Sequence, residues 1–236
     1  MKLRTTTIAA TFGLAILGSL AVSGPLRTVS LFEGTFDTPE ILPEIGQFVA
    51  SSSVGSIGIV AAPGGGSLLV FDDTSTNGSE SLYLHGTFDG GKAPMIGVVM
   101  MHFEMTLGQQ DTPFSVGVVV DNATSDFIPA SGPDSDGDMN IAGKKSGKEA
   151  TVNTALDVVV RLERTRPDED WEYEISVSPI TETNGSTMAP NPSAGPSTGS
   201  FHGTRGKPIS GLAIIKPPGP TGRFFIDDIT VDHSTD

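Results

Sequence analysis

Beyond its first two dozen residues the chain alternates. In IGVVMMHFEMTL (96–107), Val99, Met101, Phe103, Met105 and Leu107 fall on one side, and Val98, Met100, His102, Glu104 and Thr106 on the other. A period of two marks a strand that buries one face. Similar short apolar or alternating runs occur at 28–33, 55–61, 67–71, 81–88, 114–121, 155–163, 171–178, 211–215 and 223–231, separated by Gly, Pro, Asn, Asp and Ser. Ten short strands without a helical period predict an all-β protein, a two-sheet antiparallel β-sandwich.

Two polar stretches interrupt the rhythm. Residues 122–150 and the Pro/Ser/Gly/Thr-rich residues 179–209 read as long loops, the second as a mobile one. The strand pattern resumes after each, so the expectation is one sandwich domain over residues 24–236.

The last strand, RFFIDDITVD (223–232), breaks its own pattern. Strict alternation puts Phe225, Asp227, Ile229 and Val231 on one face and Phe224, Ile226, Asp228 and Thr230 on the other. Asp227 then shares an apolar face. A buried carboxylate needs a cation, an arginine or several N–H donors. Backbone N–H groups, Arg223, Arg27 and a metal ion are the open choices.

Composition narrows the class. Residues 1–23 carry Lys2 and Arg4, then an apolar run closing on Ala21-Val22-Ser23, the form of a signal peptide cleaved before Gly24. This predicts a secreted, periplasmic or cell-surface protein with no stable membrane insertion after cleavage. Cleavage would shift the formal charge from −14 to −16, twelve bases against 28 acids. Such an acidic chain disfavours nucleic acid as a partner. With no cysteine, no disulfide framework or disulfide-linked partner is possible.

The stretch LFEGTFDTPE (31–40), with Gly34-Thr35-Phe36-Asp37-Thr38-Pro39, resembles the opening of galactose-binding-like jelly rolls, which include many carbohydrate-binding modules of exported bacterial proteins. Phe225-Ile226-Asp227-Asp228-Ile229-Thr230-Val231 resembles their closing strand, and SSSVGSIGIV (51–60) an early one. The likeness covers roughly thirty residues at the two ends. It departs in having Phe48 near where a tryptophan is usual, and Asp37 where Glu is usual. A concanavalin-like jelly roll fits the middle of the chain equally. The resemblance implies that the two ends lie side by side and hold a structural calcium, with Asp37 and Asp227 as ligands. Calcium takes six to eight hard oxygens, which carboxylates and turn carbonyls supply.

Several other groupings carry candidate chemistry. If the strands 81–88 and 96–107 are neighbours, Tyr83, His85, His102 and Glu104 form one polar patch suited to a glycan. Trp171 alternates in phase with Tyr173, Ile175 and Val177, as a core residue or a sugar-stacking platform. Asp134, Asp136, Asp138 and Asn140 have calcium-like spacing, but Met139 replaces the loop glycine and Lys145 the bidentate glutamate of an EF-hand, so a solvated turn is expected. GPSTG (195–199) matches a nucleophile-elbow pattern only formally, because it lies in a low-complexity stretch.

Two functions follow as expectations. The first is an exported, non-catalytic carbohydrate-binding-like or cell-surface/matrix module with a glycan partner and structural calcium. The alternative is a polysaccharide-active enzyme, a glycoside hydrolase or lyase on the same scaffold. Hydrolysis requires two carboxylates flanking the bond. The strand 96–107 offers only Glu104, while 155–163 offers Asp157 and Glu163 separated by Val159 and Arg161. A lyase would draw on His102, Tyr83 and Arg161.

Overall fold

The computed structural model describes residues 27–34, 36, 48–50, 55–62, 65–74, 81–88, 92–121, 126–179 and 194–235. The leader, Asp37 and residues 180–193 lie outside them. Fifteen strands run through the described residues, with no α-helix. They are β1 Arg27–Gly34, β2 Phe48–Ala50, β3 Gly55–Ala61, β4 Ser67–Asp73, β5 Leu82–Thr87, β6 Gly97–Leu107, β7 Ser115–Val120, β8 Phe127–Pro133, β9 Asp138–Ile141 and β10 Lys144–Glu149. The remainder are β11 Ala155–Arg164, β12 Trp171–Pro179, β13 Ala194–Phe201, β14 Ile209–Lys216 and β15 Gly222–Thr235.

The strands form two sheets. The eight-stranded sheet runs β13-β12-β11-β6-β15-β4-β3, with β1 also pairing to β15; the seven-stranded sheet runs β10-β9-β8-β7-β14-β5-β2. Every pairing between named strands is antiparallel. The architecture is therefore the expected all-β two-sheet sandwich.

Alternation builds its core. Leu156, Val158, Val160 and Leu162 of β11 are buried, as are Val99, Met101, Phe103, Met105 and Leu107 of β6. Phe224 is stacked between Phe71 and Phe114, with ring centroids 4.5 and 3.9 Å away. Stacked aromatic rings of this kind add to the burial of their area.

The two ends of the sandwich do meet. β1 pairs with the second half of β15 from Arg27–Thr235 to Gly34–Ile229. Phe36 just beyond is fully buried, at a φ of +56°.

The break in β15 has a different cause from the expected inward carboxylate. The register against β6 shifts between Asp227 and Thr230, and Asp228 has a φ of +48°. This bulge resets the alternation, so Phe224 and Ile226 before it and Ile229 and Val231 after it are all buried. Asp227 consequently faces outward and is half-buried, and its Oδ1 accepts the Asp228 N–H at 2.9 Å. Asp tolerates the left-handed region through such local bonding, whereas a β-branched residue does not. Asp228→Gly should melt at the parent's temperature or slightly above. Asp228→Val should lose about 1–2 kcal/mol. Both remove the charge, so their difference in thermal melts isolates the backbone; equal midpoints would mean the bulge carries no strain.

The two expected loops are in part strands. β8, β9 and β10 lie inside 122–150, and β13 lies inside 179–209. Their composition hides them. β8 carries Pro129, Gly132 and Pro133, and an added Cβ at Gly132 would sit 2.0 Å from the Phe114 carbonyl oxygen. β10 is an exposed edge strand with Lys144, Lys145 and Lys148, the charged edge that resists pairing with another chain. β13 is the opposite sheet's edge, and its pairing shifts across Pro196, where a missing N–H costs nothing.

Candidate functional site on the outer face of the eight-stranded sheet

The expected patch of Tyr83, His85, His102 and Glu104 does not exist as one surface. β5 belongs to the seven-stranded sheet and β6 to the eight-stranded one, so the two pairs stand on opposite sheets. Tyr83 is half-buried, and His85 is only 9% exposed, with no hydrogen-bond partner at Nε2. Burial pushes the His85 pKa below its ordinary value, as befits a neutral packed imidazole. Trp171 takes the core option: it is 1% exposed, with the Arg164 guanidinium 4.4 Å from its ring centroid.

A different set of side chains converges on the outer face of the eight-stranded sheet. Glu104 on β6 is directly opposite Asp157 on β11 and Asp227 on β15, so three carboxylates form one row across three strands. Directly opposite pairs place their Cβ atoms about 4.5–5.5 Å apart. His102, two residues before Glu104, lies 2.5 Å from Asp157 through Nε2 and Oδ1. Further along β11, Arg161 pairs with Glu163 at 2.6 Å. Beside them is a shallow depression of about 400 Å³, lined by Arg161, Glu172, Glu174, Thr198, Ser200 and the Tyr173–Gly199 pair. Thr198 and Ser200 belong to β13, which the sequence pattern assigns to a loop. No alternation of apolar residues in AGPSTGSF signals it.

Glu104 is the electrostatically strained member of the row. Burial, then Asp228, and more weakly Asp157 push its pKa above the ordinary glutamate value, while His102 pulls it down. The folded protein thus holds this proton to a higher pH than the unfolded chain does. Stability then falls as pH rises from the unfolded value, about 4.3, through the folded one, and the deficit persists above it. Glu104→Gln should melt above the parent at pH 7, and the gap should close in acid below that window. A variant that melts lower at pH 7 would show that the ionised carboxylate is stabilising.

The acidic turn at 134–138 carries its own cation. Lys145 Nζ lies 2.8, 2.9 and 3.5 Å from carboxylate oxygens of Asp134, Asp136 and Asp138. Asp134 Oδ1 accepts the N–H groups of Asp136 and Asp138. Hydrogen bonds to Asp134 and Asp136 raise the Lys145 pKa. The residue that replaces the bidentate glutamate is thus the one that neutralises the turn.

For calcium at the chain ends, Asp37 lies outside the described residues and Asp227 is outward rather than buried. Arg223 pairs with Asp72. Among the described residues no group of three or more His, Asp and Glu is arranged to hold a metal ion.

The geometry defines an antiparallel two-sheet sandwich with an acidic, hydrogen-bonding outer face. No protein family matches the chain by sequence, and no curated protein does. Solved structures similar to it include a Lotus tetragonolobus seed lectin (8% identity, 88% of this chain and 100% of that one, TM-score 0.46). Another is the GH131 β-glucanase catalytic domain from Podospora anserina (12%, 86% and 95%, TM-score 0.49). A third is the carbohydrate-binding module TmCBM27, described as recognising mannan (15%, 89% and 99%, TM-score 0.41). Likeness at this level goes no further than the two-sheet architecture that the strand pairing already shows.

Proposed function

We propose that the outer face of the eight-stranded sheet binds a glycan, and that the protein is an exported, non-catalytic carbohydrate-binding-like sandwich. The row Asp227–Glu104–Asp157 carries this reading. Carboxylates accept the hydroxyl groups of a sugar, and His102, Arg161, Thr198 and Ser200 add donors on the same face. Trp171 and Tyr173 are both buried and unavailable for stacking on a sugar, so the polar side chains of this face carry the recognition. The acidic surface selects against uronate-rich chains. On a panel of neutral and charged polysaccharides the parent should retain a neutral or amino-sugar polymer, and Asp157→Asn should lose most of that binding. Tyr83→Ala, on the other sheet, should keep it. No retained polymer, or equal retention by Asp157→Asn, would sink the reading.

A structural calcium between Asp37 and Asp227 belongs to the same proposal. Its support is the β1–β15 pairing, whose last pair, Gly34–Ile229, adjoins the Asp228 bulge residue in sequence. A bound ion stabilises by mass action, about 2.7 kcal/mol at one hundred times its Kd. EDTA should then lower the melting temperature by several degrees. An unmoved curve with no calcium heat in calorimetry would remove the ion from the proposal.

One observation favours hydrolysis as a second reading. Glu104, with its raised pKa, stands opposite Asp157, the pairing of a general acid with a second carboxylate. Release of reducing ends from the retained polymer, abolished in Glu104→Gln, would establish it. Binding without release leaves the module reading.

A further inference from the structure

Lys216 and Asp73 are used by nothing on the sheet surface. Lys216 is 0% exposed and Asp73 4%, and Nζ lies 2.6 Å from Oδ2. They come from opposite sheets. Asp73 follows Leu69 and Phe71 on the inner side of β4, and Lys216 follows Leu212 and Ile214 on the inner side of β14. The pair therefore bridges the sandwich at the end of its Phe71–Phe224–Phe114 stack, where all three rings are buried. Besides Asp73, the Lys216 ammonium meets the Pro217 carbonyl oxygen at 3.3 Å.

A nitrogen 2.6 Å from one carboxyl oxygen is held against the carboxyl group, the proximity that amide formation needs, since reacting atoms must come to roughly 3–3.5 Å. Keeping two ions in an apolar interior carries a heavy desolvation cost on each. Transfer of one proton from Nζ to Oδ2 along their hydrogen bond gives an amine and a carboxylic acid and removes both charges. We infer that Lys216 and Asp73 condense to a side-chain amide, a covalent tie between the two sheets. The amine nitrogen attacks Cγ, the C–O bond to the protonated Oδ2 breaks, and that oxygen leaves as water with the second amine proton. No oxidant, cofactor or partner enters, and nothing is oxidised. The enclosed core keeps bulk water from reversing the step. The tie would close a loop from β4 to β14 in a chain that has no cysteine to close one. The inference is independent of what the outer face binds.

The full-length protein itself supplies the test. After prolonged incubation in the folded state it is denatured, digested and mapped by mass spectrometry. The expected result is a branched species joining the segments that contain Asp73 and Lys216, one water lighter than the two together. That species must be missing from Lys216→Arg, and fragmentation must place the link at Lys216 Nζ. Recovery of both segments as separate, unmodified peptides, with no branched species, would overturn the inference. The parent alone decides between these outcomes, so a variant that fails to fold does not blur them.

Discussion

Arg164→Met should lower the thermal midpoint by roughly 4–16 °C, corresponding to about 2–4 kcal/mol. Arg164 ends β11 inside the sandwich, at 2% exposure. Its Nε donates to the Met95 carbonyl at 2.5 Å, Nη1 to Thr204 O at 2.9 Å and Nη2 to Lys207 O at 3.0 Å. One planar cation thereby ties the segment before β6 to the turn between β13 and β14. The same turn is held from β12: Trp171 N–H donates to Thr204 Oγ1, and Trp171 Nε1 to Lys207 O. Methionine fills similar volume but leaves the Met95 carbonyl without its donor. It also takes one of two donors from each of Thr204 O and Lys207 O, which keep the Lys207 N–H and Trp171 Nε1. A buried unsatisfied acceptor costs about 1–3 kcal/mol, and a hydrogen bond from a charged donor about 1.5–3. Arg164→Lys should recover only part of the loss, because an ammonium cannot reproduce the fork geometry or the stacking on Trp171. Midpoints within about 2 °C of the parent for Arg164→Met would show that water replaces the guanidinium. Tryptophan fluorescence gives a second readout, since the ring loses its cation before the rest of the core changes.

That corner shows where the sequence is legible and where it is not. Alternation identifies Trp171 as a core candidate and places the strands 155–163 and 171–178 to within a residue or two of β11 and β12. It says nothing of Arg164, because a lone arginine at a strand end looks like any solvated charge. Its partners are backbone carbonyls, 40 to 69 residues away, which no side-chain pattern encodes. Strands rich in Pro, Gly and Lys (β8, β10 and β13) stay hidden because they sit at or near sheet edges, where composition is free to depart from a buried pattern.

The site was legible residue by residue and illegible as an assembly. His102 and Glu104 face outward as alternation requires, yet which strands flank them is a question of topology. The chain places β6 between β11 and β15, so Asp157 and Asp227 become the neighbours of Glu104, and Tyr83 and His85 go to the other sheet. Asp227 misleads for a local reason. A single bulge residue at positive φ inverts every assignment beyond it, and only the Asp-Asp pair hints that one is present.

Lys216→Met should destabilise the fold by about 3–5 kcal/mol, and adding Asp73→Val should restore about 3 kcal/mol of that loss. The single change leaves the Asp73 carboxyl in the interior without the ammonium now 2.6 Å away. A buried carboxylate that loses its counter-ion is among the costlier single defects in a protein. The double change removes both polar ends and leaves two apolar side chains facing each other across the sheets, beside Leu82, Ile214 and Phe71, all fully buried. Replacing a whole buried ion pair by packed hydrophobes is close to neutral or stabilising, whereas halving it is not. The prediction therefore lies in the order of the three proteins: the single variant is the least stable, whatever bond joins the pair in the parent. Urea melts of parent, single and double variants measure it. The two variants should share one m-value, whereas an amide tie in the parent would keep its unfolded state compact and lower its m-value. If the double variant were no more stable than Lys216→Met, the loss would come from the missing lysine's packing rather than from a stranded carboxylate.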